Sequence, residues 1–181
     1  YMRTLNFCLF LLFFLSRISA QEMKINKIDQ THLIKYFSFI GPYEKETDFN
    51  SLINDLSVNG FTNDSEYIFD RQSKKIQHIS SYAGGSVQFV HQLYNGLKED
   101  DIVIGLAHIF SSKNQNVVIQ SMEFLSTIEV YINGEKVNLK RQSNLLSRAN
   151  LKKGNNNLIV KIKNLTKAGF FIHIHNDNRI E

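Results

Sequence analysis

Apolar and polar residues alternate with a period of two over most of the chain beyond residue 100. Ile102, Ile104, Leu106 and His108 alternate with Val103, Gly105, Ala107 and Ile109. Ile128, Val130 and Ile132 point one way, and Thr127, Glu129 and Tyr131 the other. Leu158, Val160 and Ile162 repeat the pattern against Lys161 and Lys163, and Phe170, Ile172 and Ile174 against Phe171, His173 and His175. Successive side chains of a strand project to opposite faces, so each run predicts a strand. The run 102–109 is apolar on both faces, which predicts a central strand. Residues 117–120 predict another. Upstream, 32–43 reads as a strand ending at Gly41-Pro42, and 75–80 and 86–93 read as two more, separated by Gly84-Gly85. Residues 61–70 read as a loop carrying Tyr67 and Phe69.

One segment has helical spacing. Phe49, Leu52, Ile53 and Leu56 predict a short helix over 46–56, capped by Thr47 or Asp48 and stopped at Asn59-Gly60. Eight or nine short strands, with turn residues every ~8–12 positions, predict an all-β sandwich or barrel. The best-defined turn is Asn133-Gly134, between 127–132 and 135–137. Asn-Gly is the favoured pair for a type I′ turn, in which both central residues take positive φ. Gly154 marks a second turn ahead of 158–163.

The N-terminus changes the picture of location. Arg3 precedes an apolar run of nine residues, Phe7 to Leu15, and Ser16 to Ala20 follow with a small residue at the end. A membrane-crossing helix needs about 20 apolar residues, so residues 1–20 read as a signal peptide. That predicts a secreted, periplasmic or cell-envelope protein with no integral membrane segment after cleavage. Residues 21–31 read as a linker, 32–176 as the folded domain, and 177–181 as the start of a linker to a downstream domain. The single cysteine, Cys8, lies within the signal, so the mature chain forms no disulfide and depends on its core. Without Arg3 and Arg17 the mature chain carries 19 basic and 17 acidic residues. So small and scattered an excess argues against a nucleic-acid partner.

Ile128-Glu129-Val130-Tyr131-Ile132-Asn133-Gly134, then Leu151-Lys152-Lys153-Gly154-Asn155-Asn156, then Leu158 to Lys161 form a series of blocks. With Phe37 to Tyr43 upstream, they resemble galactose-binding-like jelly-roll domains of secreted bacterial proteins, among them carbohydrate-binding modules. The resemblance implies an antiparallel β-sandwich (jelly roll) with at most one or two short helices. It departs at Ser121 to Ser126, where relatives often carry an acidic, glycine-containing segment, and at Tyr131, where they often carry Trp. The blocks identify a fold and no chemistry.

The chemical candidates are few. Exposed aromatics stack on sugar rings in β-sandwich modules, so Tyr131, with Phe171 as a companion, is a candidate ligand platform for a polysaccharide. The alternative is that the Tyr131 face packs against the chain between Phe37 and Phe69. His173 and His175 project from one face of a strand, and Asp177 is the only nearby third ligand; zinc needs three or four, so the pair is a weak metal candidate and the expected arrangement is a surface pair. His108 reads as a satisfied core histidine. Gly84-Gly85-Ser86 lacks the pattern of a nucleophile elbow, and Glu99-Asp100-Asp101 reads as a solvated turn. The expectation is a non-catalytic accessory module without a cofactor, serving in domain packing or presentation within a larger exported protein. A carbohydrate-binding module, and part of a secreted hydrolase whose catalytic domain lies downstream, are the alternatives.

Overall fold

Strand alternation resolves into two sheets packed face to face, with a helix and a hairpin laid on the outside of the larger one. The computed structural model describes residues 24–28, 33–61, 66–80, 86–87, 94, 97–98, 100–124, 127–142, 144–163 and 169–176. At 86–87, 122–124, 140–142, 144–146, 169–171 and 176 it describes the backbone alone. The signal segment and Asp177 lie outside the described residues.

In chain order the elements are β1 (Ile25–Lys27), β2 (Tyr36–Tyr43), α1 (Phe49–Asn59), β3 (Glu66–Phe69), β4 (Gln72–Lys75), β5 (Gln77–Ser80), β6 (Ser86–Val87) and β7 (Ile102–Ser111). They continue with β8 (Gln115–Phe124), β9 (Thr127–Ile132), β10 (Glu135–Val137), β11 (Lys140–Gln142), β12 (Asn144–Leu151), β13 (Gly154–Lys163) and β14 (Gly169–Asn176). The large sheet has the order β10-β9-β13-β7-β2-β5, with β1 joined to β7 beyond β2. The small sheet has the order β11-β12-β8-β14-β6. All pairs are antiparallel except β1 with β7. The fold is thus an all-β sandwich, as the alternation predicts.

Between the sheets lies one core. Phe37, Phe39, Val103, Ala107, Ile109, Val130, Leu158 and Val160 of the large sheet meet Val117, Ile119, Ile172 and Ile174 of the small one. Strand β7 is central, as expected, with β13 on one side and β2 followed by β1 on the other. Gly105 faces this core beneath the Phe39 ring. A Cβ there would stand 2.8 Å from a ring carbon, so the aromatic side chain occupies the space a larger residue would need.

A second core covers the opposite face of the large sheet. Ile40, Tyr43, Ile102, Ile104, Leu106, Tyr131 and Ile159 pack against Phe49, Leu52, Ile53 and Leu56 of α1, with Phe61 and Ile76. Those four helical residues recur at three- and four-residue spacing, so they fall on one buried stripe. Asp48 caps the helix by accepting from the Ser51 backbone N–H (3.2 Å) and hydroxyl (2.7 Å), and Gly60 ends it by donating to Leu56 O. The helix runs 49–59 rather than 46–56, because the cap is the later of the two candidates and the last turn continues to Gly60.

Several elements depart from the sequence reading. Ile25–Lys27, read as linker, is a strand. Residues 66–75, read as loop and the start of a strand, form the β3-β4 hairpin. Lys140–Gln142 and Asn144–Leu151, stretches in which the sequence reading placed no strand, are strands of the small sheet. Strand β2 also passes through Gly41-Pro42 by a register shift and continues to Tyr43.

Candidate functional site

Tyr131 stands on β9 with Glu129 two residues before it, so both project from the large sheet on the side away from the small sheet. Tyr131 is 8% exposed and belongs to the core beneath α1. Its hydroxyl donates to Glu129 Oε2 at 2.8 Å. Around that carboxylate stand three ammonium groups: Lys136 Nζ at 3.2 Å, Lys163 Nζ at 3.6 Å and Lys161 Nζ at 4.0 Å. Lys161 also lies over the Phe49 ring, 4.2 Å from its centroid, and Lys136 lies 5.9 Å from the Tyr131 centroid. Burial opposes the charge on Glu129, yet the Tyr131 hydroxyl and the lysines outweigh it and hold the carboxyl below its ordinary range. Burial and the adjacent Glu129 push the Tyr131 phenol up. Burial draws the Lys161 ammonium down despite Glu129, with Lys163 and Lys136 adding repulsion.

The face bearing Tyr131 is therefore covered rather than open to a sugar ring. Of the two arrangements expected for it, the structure has packing against the chain between Phe37 and Phe69, since α1 supplies the cover. Phe171 is not its companion. It sits in β14, opposite Met122 of β8 and Ser86 of β6, and so belongs to the other sheet. Its side chain lies outside the described residues.

His173 and His175 share one face of β14, with Ile172 and Ile174 buried on the other. Their ring centroids are 5.8 Å apart, and His175 Nε2 lies 3.2 Å from Gln120 Oε1. Among the described residues no group of three His, Cys, Asp or Glu side chains is placed to hold a metal ion.

The polar residues that alternation alone could not interpret are the asparagines. Asn133 and Gly134 both take positive φ, 50° and 87°, as the predicted turn requires. The Asn133 Oδ1 accepts from Asn157 N (2.9 Å), its Nδ2 donates to Asn156 Oδ1 (2.9 Å), and its own N–H donates to Asn157 O (2.8 Å). Asn156 in turn holds both backbone groups of Lys152, accepting from its N–H and donating to its carbonyl, each at 2.9 Å. Asn157 Nδ2 reaches the last carbonyls of α1, Ser57 O at 3.1 Å and Leu56 O at 3.4 Å. Those carbonyls only accept, so the Asn157 amide turns its oxygen to His108, whose Nδ1 at 2.9 Å carries the proton. Burial holds His108 below the ordinary imidazole range, partly offset by that hydrogen bond. The β9-β10 turn, the turn that carries the chain from β12 to β13, a central strand and the helix end are thus tied into one network. Its only advance signal is the clustering of Asn beside Gly in both turns.

No family model matches the chain, and no curated protein matches it. Among solved structures, a selenomethionine-labelled β-glucosidase from Kluyveromyces marxianus is similar at 15% identity and a TM-score of 0.44. The match covers 77% of this chain and spans 14% of the length of that one. Among the described residues no helix is long and apolar enough to cross a membrane.

Proposed function

We propose that the chain is a non-catalytic β-sandwich accessory module, of the galactose-binding-like kind, within a larger exported protein, and that it serves in domain packing or presentation. The observation that supports this reading is the use made of the polar motif residues. Asn133, Asn156, Asn157 and His108 hydrogen-bond to one another and to the end of α1, so the Asn-Gly and Gly-Asn-Asn-Asn blocks act as joints of a scaffold. Glu129 and Tyr131 likewise bond to each other under the helix. Buried polar groups that satisfy one another stiffen a unique fold, which is what a spacer or presenting domain requires. The sequence pattern of residues 1–20 supports export. A reading frame that continues past Glu181 into a second domain supports the proposal, and a stop codon directly after Glu181 overturns it. Fusing residues 1–20 to a reporter tests export separately; retention of the reporter in the cytoplasm removes that part.

A further inference from the structure

Two connections between the sheets leave the sandwich at the same end. Strand β7 ends at Ser111, opposite the start of β13 at Gly154, and β12 ends at Leu151, opposite the start of β8 at Gln115. The turns 112–114 and 152–153 therefore lie side by side, and hydrogen bonds fix them. Lys153 N donates to Asn114 Oδ1 (2.7 Å), Gln115 Nε2 to Ser111 Oγ (2.8 Å) and Ser111 Oγ to Lys113 O (2.6 Å), while Asn156 holds both backbone groups of Lys152. Next to these turns register sets Asn150 opposite Asn116. Their neighbours Val117 and Leu151 are buried between the sheets, so the two asparagines face outward, and both are exposed. A groove of about 500 Å³ opens here, lined by Asn114, Gln115, Asn116, Asn150, Leu151 and Lys152. Lys113, Lys152 and Lys153 stand exposed on the two turns. No described side chain of these turns, of β8 or of β12 is a carboxylate, and the ion pairs among the described residues all end on Glu129 of the other sheet.

We infer that this groove binds an acidic peptide, an extended segment of a partner protein with carboxylates on alternate residues. A side-chain carboxamide carries the same donor and acceptor as a peptide group. Asn116 and Asn150, side by side across β8 and β12, can therefore each pair with one peptide unit of a segment laid along the groove. Such main-chain pairing supplies affinity for an extended ligand, and its side chains supply specificity. Alternate side chains of an extended segment face one way, which turns its carboxylates toward the lysines while its backbone lies on the amides. Three cations on neighbouring turns, with no described acid beside them, attract those carboxylates and set the register. The turns are ordered before any ligand arrives, which lowers the entropic cost of association. Bases bind single-stranded sites by stacking on aromatic side chains, and the groove offers neither a base nor a sugar ring such a platform.

The test is calorimetric titration of the whole chain, at low and at moderate salt, with an end-blocked octapeptide of alternating Glu and Thr. The same peptide with Gln for Glu, the Glu peptide with its Thr nitrogens methylated, heparin and single-stranded DNA serve as comparisons. The inference expects the Glu peptide to bind, less tightly as salt rises, and the Gln and N-methylated peptides to lose tenfold or more in affinity. It expects Lys152→Ala/Lys153→Ala and Asn116→Ala/Asn150→Ala each to weaken binding tenfold or more, with melting curves like wild type. Lys45→Ala/Lys75→Ala removes the same charge from other exposed sites and is expected to leave affinity unchanged. No binding of the Glu peptide overturns the inference. So does affinity untouched by either groove substitution or by N-methylation, or equal weakening by the distant pair. Equal affinity for heparin or DNA also overturns it, since that marks non-specific polyanion attraction. The peptide comparisons use the unaltered chain, so they decide the matter even where a substitution unfolds it. The accessory-module reading survives any of these outcomes, since it falls only to the reading frame and the export test.

Discussion

The two sheets have opposite outer faces. Outside the large sheet, α1 and the β3-β4 hairpin lie on apolar residues, and several polar groups are turned on one another: Tyr131 on Glu129, Glu129 on three lysines, Asn157 on the helix end. Outside the small sheet, Asn116, Asn150, Arg148 and Lys152 stand exposed, and the concavity beside them is lined by amides. Both faces are polar enough in sequence to pass for binding surfaces. The difference is that a helix and a hairpin cover the one face, whereas these side chains of the other stand exposed. A satisfied buried network contributes stability and specificity of fold, whereas exposed hydrogen-bonding groups are available to a ligand.

The sharpest way to break the contrast is to loosen the cover. Leu56→Ala removes a fully buried side chain from the helix and is expected to destabilise by about 2–5 kcal/mol, read as a lower urea midpoint. Asn157→Ala removes the side-chain partner of Ser57 O and of His108, with an expected loss of about 1–3 kcal/mol and faster hydrogen exchange at the end of α1.

Acidification acts on the covered face in two steps. His108 has a folded-state pKa below its unfolded value of about 6.5, so its contribution is complete above that value and declines as the pH falls below it. The carboxyl of Glu129 also has a lowered folded-state pKa, so its contribution is complete above an unfolded value of about 4.3 and is lost as the pH falls through the folded one. Melting temperature against pH is expected to fall in both windows. His108→Gln should abolish the upper step, Glu129→Gln the lower. Smallest of all is the effect on the outward face of the small sheet: Asn150→Ala is expected to change stability by less than about 0.5 kcal/mol. A large loss there would show that the face is structural after all.

Much of the fold was legible because period-two alternation is a direct consequence of strand geometry, and it located β7, β9, β13 and β14 and their buried sides. The β3-β4 hairpin escaped because its turn is Asp70-Arg71, two non-glycine residues at φ 46° and 62°, where the usual signal is Asn-Gly. Strand β1 escaped because it is three residues long and has a polar residue in its buried position. The surface chemistry was the least legible. Alternation says that Tyr131 and Ile128 face opposite ways, but not that a helix 72 to 82 positions earlier in the sequence lies over Tyr131. Nor does it reveal that Asn116 and Asn150 meet across a strand pair, because β12 carries no clear alternation of its own.

Asn26 has a consequence in time as well as in space. Its amide is 5% exposed and fills the point where β2 leaves β7 and β1 takes its place: Oδ1 accepts from Lys35 N and Tyr36 N, and Nδ2 donates to Tyr36 O and His108 O. The last of these partners is made 82 residues after Asn26. During synthesis the first strand therefore waits, with its amide in water, until β7 has emerged. Closure of so distant a pair is slow compared with local turns and helices. The first described strand is therefore seated later than the local hairpins, and part of the sandwich is closed from its beginning.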